Sequence, residues 1–289
     1  MASLKDLRRR IRATKSMQQI FKAMEMVAAA KLRRAQARAQ AASPYSARIS
    51  AMLANLAGAA AELEHPLFKA REVKTTALVL ITADRGFAGP YNTAILRVAE
   101  QRLKNAVPGS VQCVVVGRKG RDYLKRRGYP VLAVYADLPG EASLELARTI
   151  TNDLTAKFLS GEVDRVEILY THFVNAVVRK VINETFLPIG EVASGNPGAG
   201  ATSAGSALFE PDAETIFAEL LPRYATAKLY ASLADSLASE HSARMVAMGS
   251  ARKNAGELVD SLTLTRNRLR QAMITREISE LVGGAEALK

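Results

Sequence analysis

The 289-residue sequence has a single cysteine, Cys113, which excludes an intramolecular disulfide and any metal site built from several thiolates. A lone cysteine is typical of a reducing compartment, so we expect a cytoplasmic location. The three histidines, His65, His172 and His241, stand on separate segments without a neighbouring Cys or His at ligand spacing, which argues against a metal centre. No run of roughly 18 apolar residues occurs, so the sequence predicts no transmembrane segment.

Recognisable catalytic motifs are also missing. The chain contains neither a Gly-x4-Gly-Lys-Ser/Thr phosphate loop nor GxGxxG, and it has no nucleophile elbow. The turn at 84–89 reads Asp-Arg-Gly-Phe-Ala-Gly, which is more typical of a tight strand-to-helix turn than of a phosphate cradle. We therefore predict no catalytic residues, no cofactor and no metal. A nucleotide- or flavin-binding α/β enzyme with helical extensions stays open as an alternative.

Acidic residues are scarce in the first 50 positions. Only Asp6 and Glu25 stand against twelve Lys and Arg residues, and this segment accounts for most of the formal net charge of +12. Such a helix could bind nucleic acid, or it could simply present a solvated face. Aromatic residues are rare here, Phe21 being the only one before Tyr45, so the composition does not decide between the two.

The composition and spacing of the N-terminal segment predict one long helix. Gly is absent from residue 3 to Gly58, and Ser3 is a suitable N-cap. Pro44 should bend this helix without ending it. The helical pattern runs past residue 30 without a cleavable apolar core, which argues against a mitochondrial transit peptide. Apolar residues recur at three- and four-residue steps: Leu4, Leu7, Ile11, Met17, Ile20, Phe21, Met24, Val27, Ala28 and Leu32.

The alternating strand and helix patterns in the middle of the chain predict an α/β domain over residues 73–190. Short β-branched runs at 76–82, 111–116, 130–135 and 166–171 alternate with helical stretches near 92–106, 119–127 and 142–160. A last strand near 180–186 follows after a short connection, so we expect it to be antiparallel and at an edge. The run at 191–211, rich in Gly, Ser and Ala, is typical of a flexible loop.

A second helical run follows from Asp212, a suitable N-cap, to about residue 282. At about 1.5 Å per residue the first and last helices would reach roughly 85 and 105 Å, far beyond a compact middle domain. We therefore predict an antiparallel coiled coil of residues 1–65 and 212–289, with a Rossmann-like open-sheet α/β domain inserted between them. The expected seam of the last helix is Leu258, Leu262, Thr265, Leu269, Ala272 and Arg276, preceded by a small-residue ridge of Ala243, Ala247, Ala251 and Ala255.

Both ends of the chain carry a specific resemblance. Residues 8–15, Arg-Arg-Arg-Ile-Arg-Ala-Thr-Lys, and 20–32, Ile-Phe-Lys-Ala-Met-Glu-Met-Val-Ala-Ala-Ala-Lys-Leu, closely resemble the start of ATP synthase gamma subunits. The blocks at 240–255 and 267–285 follow the same family pattern. The turn that begins at residue 84 departs from the family pattern. The family commonly has Leu-Cys and Gly-x where this sequence has Phe87, Ala88, Pro90 and Tyr91. The cysteine-bearing insertion of chloroplast gamma subunits is absent, so the resemblance implies a bacterial protein without redox control.

The resemblance implies a non-catalytic rotor shaft. Such a shaft turns inside the ring of alpha and beta subunits of F-type ATP synthase and couples proton flow to ATP synthesis or hydrolysis in beta. The implied partners are alpha, beta, epsilon and the c-ring, with no nucleic acid, at the cytoplasmic face of the bacterial inner membrane. The implied contacts with beta are Arg8, Arg9, Met24, Arg270, Gln271, Thr275 and Glu277, and the implied foot on the c-ring and epsilon is Tyr45, Phe209 and Glu210.

Overall fold

The computed structural model describes residues 3–59, 65–190 and 213–286. The chain divides into two compact units. The two-helix unit comprises Met1–Ala28 and Arg244–Lys289, and the α/β unit comprises Ala29–Ala243. The predicted loop at 191–211 and the predicted N-cap Asp212 lie outside the described residues.

Two long helices form the ends of the chain. Helix α1 (Leu4–Ala59) is preceded by Ser3. The Ser3 Oγ atom accepts a hydrogen bond from the Asp6 amide (3.2 Å) and donates one to the Asp6 carboxylate (3.0 Å). This reciprocal arrangement confirms Ser3 as the N-cap. Pro44 lies inside α1, and Pro222 lies inside the last helix, α5 (Ala213–Glu286). Neither proline ends its helix.

Within the two-helix unit, α1 and α5 pack antiparallel. The Arg252 Nε atom donates to the Glu25 carboxylate (2.9 Å), and a Cβ atom added to Gly256 would lie 2.9 Å from the Gln18 side-chain amide. Residue numbers thus rise on one helix as they fall on the other. The predicted antiparallel pairing is confirmed, and small residues on α5 permit the close approach.

The buried seam of this unit agrees with the predicted one at some positions and differs from it by about one residue at others. On α5 the buried positions are Met248, Ala255 and Val259. The predicted Leu262 and Leu269 are half-buried, whereas Leu258 is 50% exposed and Thr265, Ala272 and Arg276 are exposed. On α1 Leu7, Ile11 and Ala28 are buried, but Met17, Ile20 and Val27 are more than half exposed. Some seam positions between these residues are half-buried and polar, so hydrophobicity alone does not identify them. They are Thr14, Gln18 and Glu25, at the spacing of a heptad pattern.

The α/β unit is built on a five-stranded sheet with the order β3-β2-β1-β4-β5. The strands are β1 (Thr76–Ile81), β2 (Val111–Val116), β3 (Val131–Tyr135), β4 (Arg165–Phe173) and β5 (Arg179–Leu187). The helices are α2 (Tyr91–Lys104), α3 (Arg118–Arg126) and α4 (Leu144–Leu159). The first four strands are parallel, and β5 pairs antiparallel with β4 at the edge, as the short connection predicted.

Each face of the sheet has its own core because alternate β1 residues point to opposite sides. Ala77, Val79 and Ile81 pack in a cluster that includes α4 residues and the α5 residues Leu221 and Leu229. Leu78 and Leu80 pack in the opposite cluster with α2 and α3. The sheet is therefore covered on both sides, which explains why β1 is buried at every position.

A buried ion pair joins β4 to α2. Glu167 is 7% exposed and accepts hydrogen bonds from the Arg102 guanidinium (3.1 and 3.3 Å) and the Asn183 amide (2.8 Å). Burial by itself raises the pKa of Glu167, but these hydrogen bonds outweigh it and the net pKa is lowered. Sequence patterns did not reveal this pair, because its members are 65 positions apart.

We predict that Arg102→Met lowers the free energy of unfolding at pH 7 by about 2 kcal/mol, because it leaves a buried carboxylate without its cation. Since the folded pKa of Glu167 is depressed, the stabilisation is present above the unfolded pKa and is lost as pH falls through the folded value. The difference between variant and wild type should therefore shrink below about pH 4. Urea unfolding at several pH values measures this difference in the free energy of unfolding. A difference that is constant with pH would contradict the proposed contribution of the ion pair.

Serine hydroxyls fasten the end of β4 to α5. Strand β4 extends beyond its last β1 partner, Leu169, so backbone groups on that side need other partners. The Thr171 amide donates to Ser236 Oγ (3.4 Å), and Ser239 Oγ donates to the Thr171 carbonyl (3.0 Å). Ser242 Oγ donates to the Ala176 carbonyl (2.6 Å). We call these three contacts the serine seam.

Candidate interaction surfaces

The end of α5 extends past its partner helix in the two-helix unit. Gln18 faces Gly256 and Glu25 faces Gly249, so the same spacing places Leu4, the first residue of α1, near Arg270. Every described residue from 271 to 285 is exposed. A helical segment of about four turns is therefore left uncovered by the described residues of its unit.

This uncovered segment carries large apolar side chains. Their spacing of three and four residues forms a stripe on the helix. This stripe was not predicted, because the predicted seam continues only through Ala272 and Arg276. Exposed apolar side chains at such spacing commonly mark a surface that a partner covers. The members are Met273 (43% exposed), Ile274 (48%), Ile278 (56%), Leu281 (75%) and Val282 (58%). We call this set the α5 apolar stripe.

Positive charge surrounds the beginning of α1. Within the described residues none of seven exposed cations on the first part of α1 makes an ion pair: Lys5, Arg8, Arg9, Arg10, Arg12, Lys15 and Lys22. Charges without partners among the described residues are free to attract an acidic surface over a distance of about 10 Å at ordinary salt. The helix thus combines an apolar seam with an uncompensated basic surface.

The residues predicted to contact beta fall into two groups. Arg270, Gln271, Thr275 and Glu277 are all exposed on the last turns of α5, and Arg8 and Arg9 are exposed near the start of α1. Met24 is half-buried and precedes Glu25, whose carboxylate lies near Gly249 of α5. About 20 residues of α5, or roughly 30 Å, separate that level from Arg270. The structure therefore does not bring Met24 together with the others.

The residues predicted for the c-ring and epsilon foot cannot be placed in the same way. Phe209 and Glu210 lie outside the described residues. Tyr45 belongs to helix α1, but its side chain also falls outside the described part of the chain.

The carboxyl ends of β1, β2 and β3, where open α/β sheets commonly bind ligands, are occupied by the chain itself. The Asp84 carboxylate accepts hydrogen bonds from the Arg118 amide at the start of α3 (2.8 Å) and from the Leu138 amide (2.6 Å). A protein carboxylate thus satisfies the helix N-terminus that would otherwise attract a phosphate.

Two glycines close this crevice further. Gly117 has φ of +97°, and a Cβ atom there would lie 2.2 Å from the Thr82 carbonyl oxygen. A Cβ atom at Gly120 would lie 2.8 Å from Val115. The remaining cavity beside Thr82 and Leu138 encloses about 30 Å³, far below the roughly 300 Å³ of a typical small-molecule site. The turn at 84–89 therefore serves as a tight strand-to-helix connection.

The remaining reactive side chains are held in structural contacts. Cys113 is fully buried in β2, and burial raises the pKa of its thiol to about 12, so thiolate is scarce at neutral pH. His172 Nδ1 lies 2.6 Å from the Asp235 carboxylate. Among the described residues, no group of three or more His, Cys, Asp or Glu is arranged to hold a metal ion.

Comparison with known proteins gives matches over the whole chain. The ATP synthase family model matches residues 3–288. ATP synthase gamma chains of Desulforamulus reducens and Heliobacterium modesticaldum are each 45% identical, over 100% of this chain and 100% of theirs. The chain belongs to the ATP synthase gamma chain family. It is a central-stalk subunit of an F-type ATP synthase, and within that complex a gamma chain is non-catalytic.

Solved structures agree with this gamma chain fold. The central stalk of the Tetrahymena thermophila mitochondrial ATP synthase aligns with a TM-score of 0.63 at 25% identity, covering 80% of this chain and 99% of that one. A rotor chain of the Euglena gracilis enzyme has a TM-score of 0.68 at 20% identity, covering 94% and 98%, and supports the fold alone. No helix in the described parts of this gamma chain is long and apolar enough to cross a membrane.

Proposed function

We propose that this central-stalk subunit is the rotating shaft of its ATP synthase, with the two-helix unit enclosed by the alpha and beta subunits. The observation that carries the proposal is the uncovered segment at 271–285, where a continuous helix exposes the α5 apolar stripe. A stripe of this kind is favourable inside a partner's cavity and unfavourable in water, at about 25 cal/mol per Å² of apolar surface.

The unpaired cations of α1 support the same arrangement. A shaft needs attraction to its surroundings at every angle, but it cannot form tight contacts that resist turning. Seven exposed cations, which have no acidic partner in the part of the chain that the structure describes, supply a long-range attraction to acidic loops. We propose that Met24 passes such a loop of beta, while Arg8, Arg9, Arg270, Gln271, Thr275 and Glu277 are polar contacts with beta nearer the end of the shaft.

The α/β unit is proposed to join the shaft to the rest of the rotor. The chain as a whole aligns with a chain of a central stalk and c-ring assembly in Tetrahymena. We propose that this unit contacts the c-ring and epsilon through a foot that includes Tyr45, Phe209 and Glu210. In the proposed domain division, residues 1–65 and 212–289 form the coiled coil, residues 73–190 form the inserted domain and residues 191–211 form a flexible loop. The complex would then lie at the cytoplasmic face of the bacterial inner membrane and couple proton flow to ATP turnover.

Purification of a tagged chain from its native membranes tests this function directly. Recovery with alpha, beta and epsilon in an assembly that hydrolyses ATP, together with inactivity of the isolated chain, is the expected result. Recovery of the chain without ATPase partners, or bound to nucleic acid, would contradict it.

We predict that Met24→Lys impairs coupling more than folding. Lys is nearly as good a helix former as Met, so stability should change by less than about 0.5 kcal/mol. The new ammonium can form a charge-assisted hydrogen bond with an acidic loop and so hinder turning. Proton pumping per ATP hydrolysed, measured in membrane vesicles, is expected to fall severalfold.

The matched control is Met24→Gln, which is polar and of similar length but uncharged. It should retain coupling close to the wild-type value. Equal loss in both variants would show that shape at position 24 matters and charge does not, and unchanged pumping in Met24→Lys would remove Met24 from the beta contact.

A further inference from the structure

The outer face of α2 and α3 in the α/β unit concentrates positive charge. Over ten positions the α3 region has one acidic residue, Asp122, against six basic residues: Arg118, Lys119, Arg121, Lys125, Arg126 and Arg127. Some of these are neutralised within the unit. Arg118 lies 3.7 Å from the Asp84 carboxylate and Arg127 lies 2.6 Å from that of Glu100. Arg121 lies 2.9 Å from the Asp122 carboxylate. Lys119, Lys125 and Arg126 leave a net positive surface.

A depression of about 310 Å³ lies between the two helices on this face. It is open to solvent, and its lining includes the exposed side chains of Arg97, Lys119 and Arg126. Arg126 donates to a backbone carbonyl, that of Asp122 (3.0 Å). None of the three cations makes an ion pair with any described residue. Three uncompensated cations therefore converge on one concave surface.

Glu100 is the carboxylate in the lining, and it is already fully engaged. It accepts hydrogen bonds from the Tyr123 hydroxyl (2.6 Å) and the Arg127 guanidinium (2.6 Å), and Lys104 Nζ lies 2.9 Å from it. The hydrogen bond from Tyr123, followed by those of the cations, lowers the pKa of Glu100, so it stays ionised. Arg127 and Lys104 more than balance its single negative charge.

Polar groups complete the depression at its other end. Asn92 and Thr93 line it and belong to the first turn of α2, a helix of 14 residues. The N-terminus of such a helix carries partial positive charge and directs amide groups outward. Leu96 and Tyr123 form the rest of the lining. The volume is within the range of small-molecule sites, unlike the closed crevice at the strand ends.

We propose that this depression binds a phosphate-bearing anion. Three cations around a single concavity match an anion of more than one charge, and guanidinium groups match the geometry of phosphoryl oxygens. An anionic phospholipid headgroup and a free polyphosphate share this chemistry. Either would occupy a site separate from the two-helix unit and from the turn at 84–89.

The test measures pyrophosphate binding to the full-length chain by isothermal titration calorimetry at low ionic strength. The lining variant is Arg97→Gln/Lys119→Gln/Arg126→Gln. Its matched control, Lys74→Gln/Arg148→Gln/Lys180→Gln, removes the same charge from three exposed positions on other elements of the unit. We expect the lining variant to bind at least about tenfold more weakly and the control within about twofold of wild type. Urea unfolding confirms that both variants fold, since all six positions are exposed.

Sedimentation with vesicles of phosphatidylcholine and phosphatidylglycerol separates the two sources of phosphate. If the lining variant alone fails to sediment and pyrophosphate displaces the wild type, the ligand is a lipid headgroup. If only pyrophosphate binding depends on the lining residues, the ligand is a free anion. Equal weakening in the lining and control variants would mean general charge attraction, and this result, or failure of the wild type to bind either probe, would overturn the proposal.

Discussion

Replacing Gly117 with alanine is expected to lower the free energy of unfolding of the α/β unit by about 4 kcal/mol or more. The new Cβ atom would lie 2.2 Å from the Thr82 carbonyl oxygen and 2.7 Å from its carbon. Backbone atoms cannot rotate away as a side chain can, so α3 or the end of β1 would have to move. Gly117 also has φ of +97°, a conformation that alanine rarely adopts.

Gly128→Ala is the matched control for this prediction. Gly128 also has a positive φ, +71°, but nothing lies within 4 Å of its added Cβ atom. It should therefore incur only the conformational cost of about 1 kcal/mol. Urea unfolding, followed by circular dichroism, compares the two variants. Similar losses would show that steric contact with Thr82 contributes little and that backbone conformation accounts for both.

Ending the chain at Arg270 is expected to reduce ATP synthesis severalfold while leaving the α/β unit intact. Every described residue removed is exposed, so the deletion takes away no buried contact and the free energy of unfolding should change by less than about 0.5 kcal/mol. The proposed shaft would lose the end that its partners enclose. Synthesis driven by an imposed ion gradient in reconstituted vesicles measures the effect.

A full-length control separates helix length from apolar contact. Substituting Gln for all five residues of the α5 apolar stripe keeps a good helix former at each position. A loss as large as that of the truncation would assign the function to the stripe, and a much smaller loss would assign it to the length of the helix. Unchanged synthesis in the truncated chain would contradict the enclosed-shaft proposal.

Regular elements were predictable because their signals are local. Strand β2 matches its predicted range of 111–116, and β1 ends one residue before its prediction, since β-branched runs bounded by turns identify buried strands. The sequence predicted a helix over 212–289, and Pro222 lies inside α5 without ending it. There the helix keeps its course, with Thr226 Oγ1 donating to the Pro222 carbonyl (2.8 Å).

Features that depend on distant residues were not predictable. The predicted α5 seam was wrong at Leu258 and Thr265, which are exposed, and right at Leu262 and Leu269, which are half-buried, because the position of the partner helix and not hydrophobicity alone selects the buried face. The α5 apolar stripe could have been found from its three- and four-residue spacing, but only the position of Leu4 shows that the partner helix ends before it. Similarly, the sequence around Glu167 does not identify Arg102 as its partner.

The serine seam restricts how helix and sheet can slide past each other. The Thr171 amide and carbonyl are satisfied by two hydroxyls separated by three residues on α5, Ser236 and Ser239. An apolar interface tolerates small axial displacements, because one methyl group can replace another at little cost. Moving α5 by one turn, about 5.4 Å, would instead leave two buried backbone groups without partners, at about 1–3 kcal/mol each. The sheet and this part of α5 are therefore held in a single axial register, and a force along the helix axis passes to the sheet without sliding.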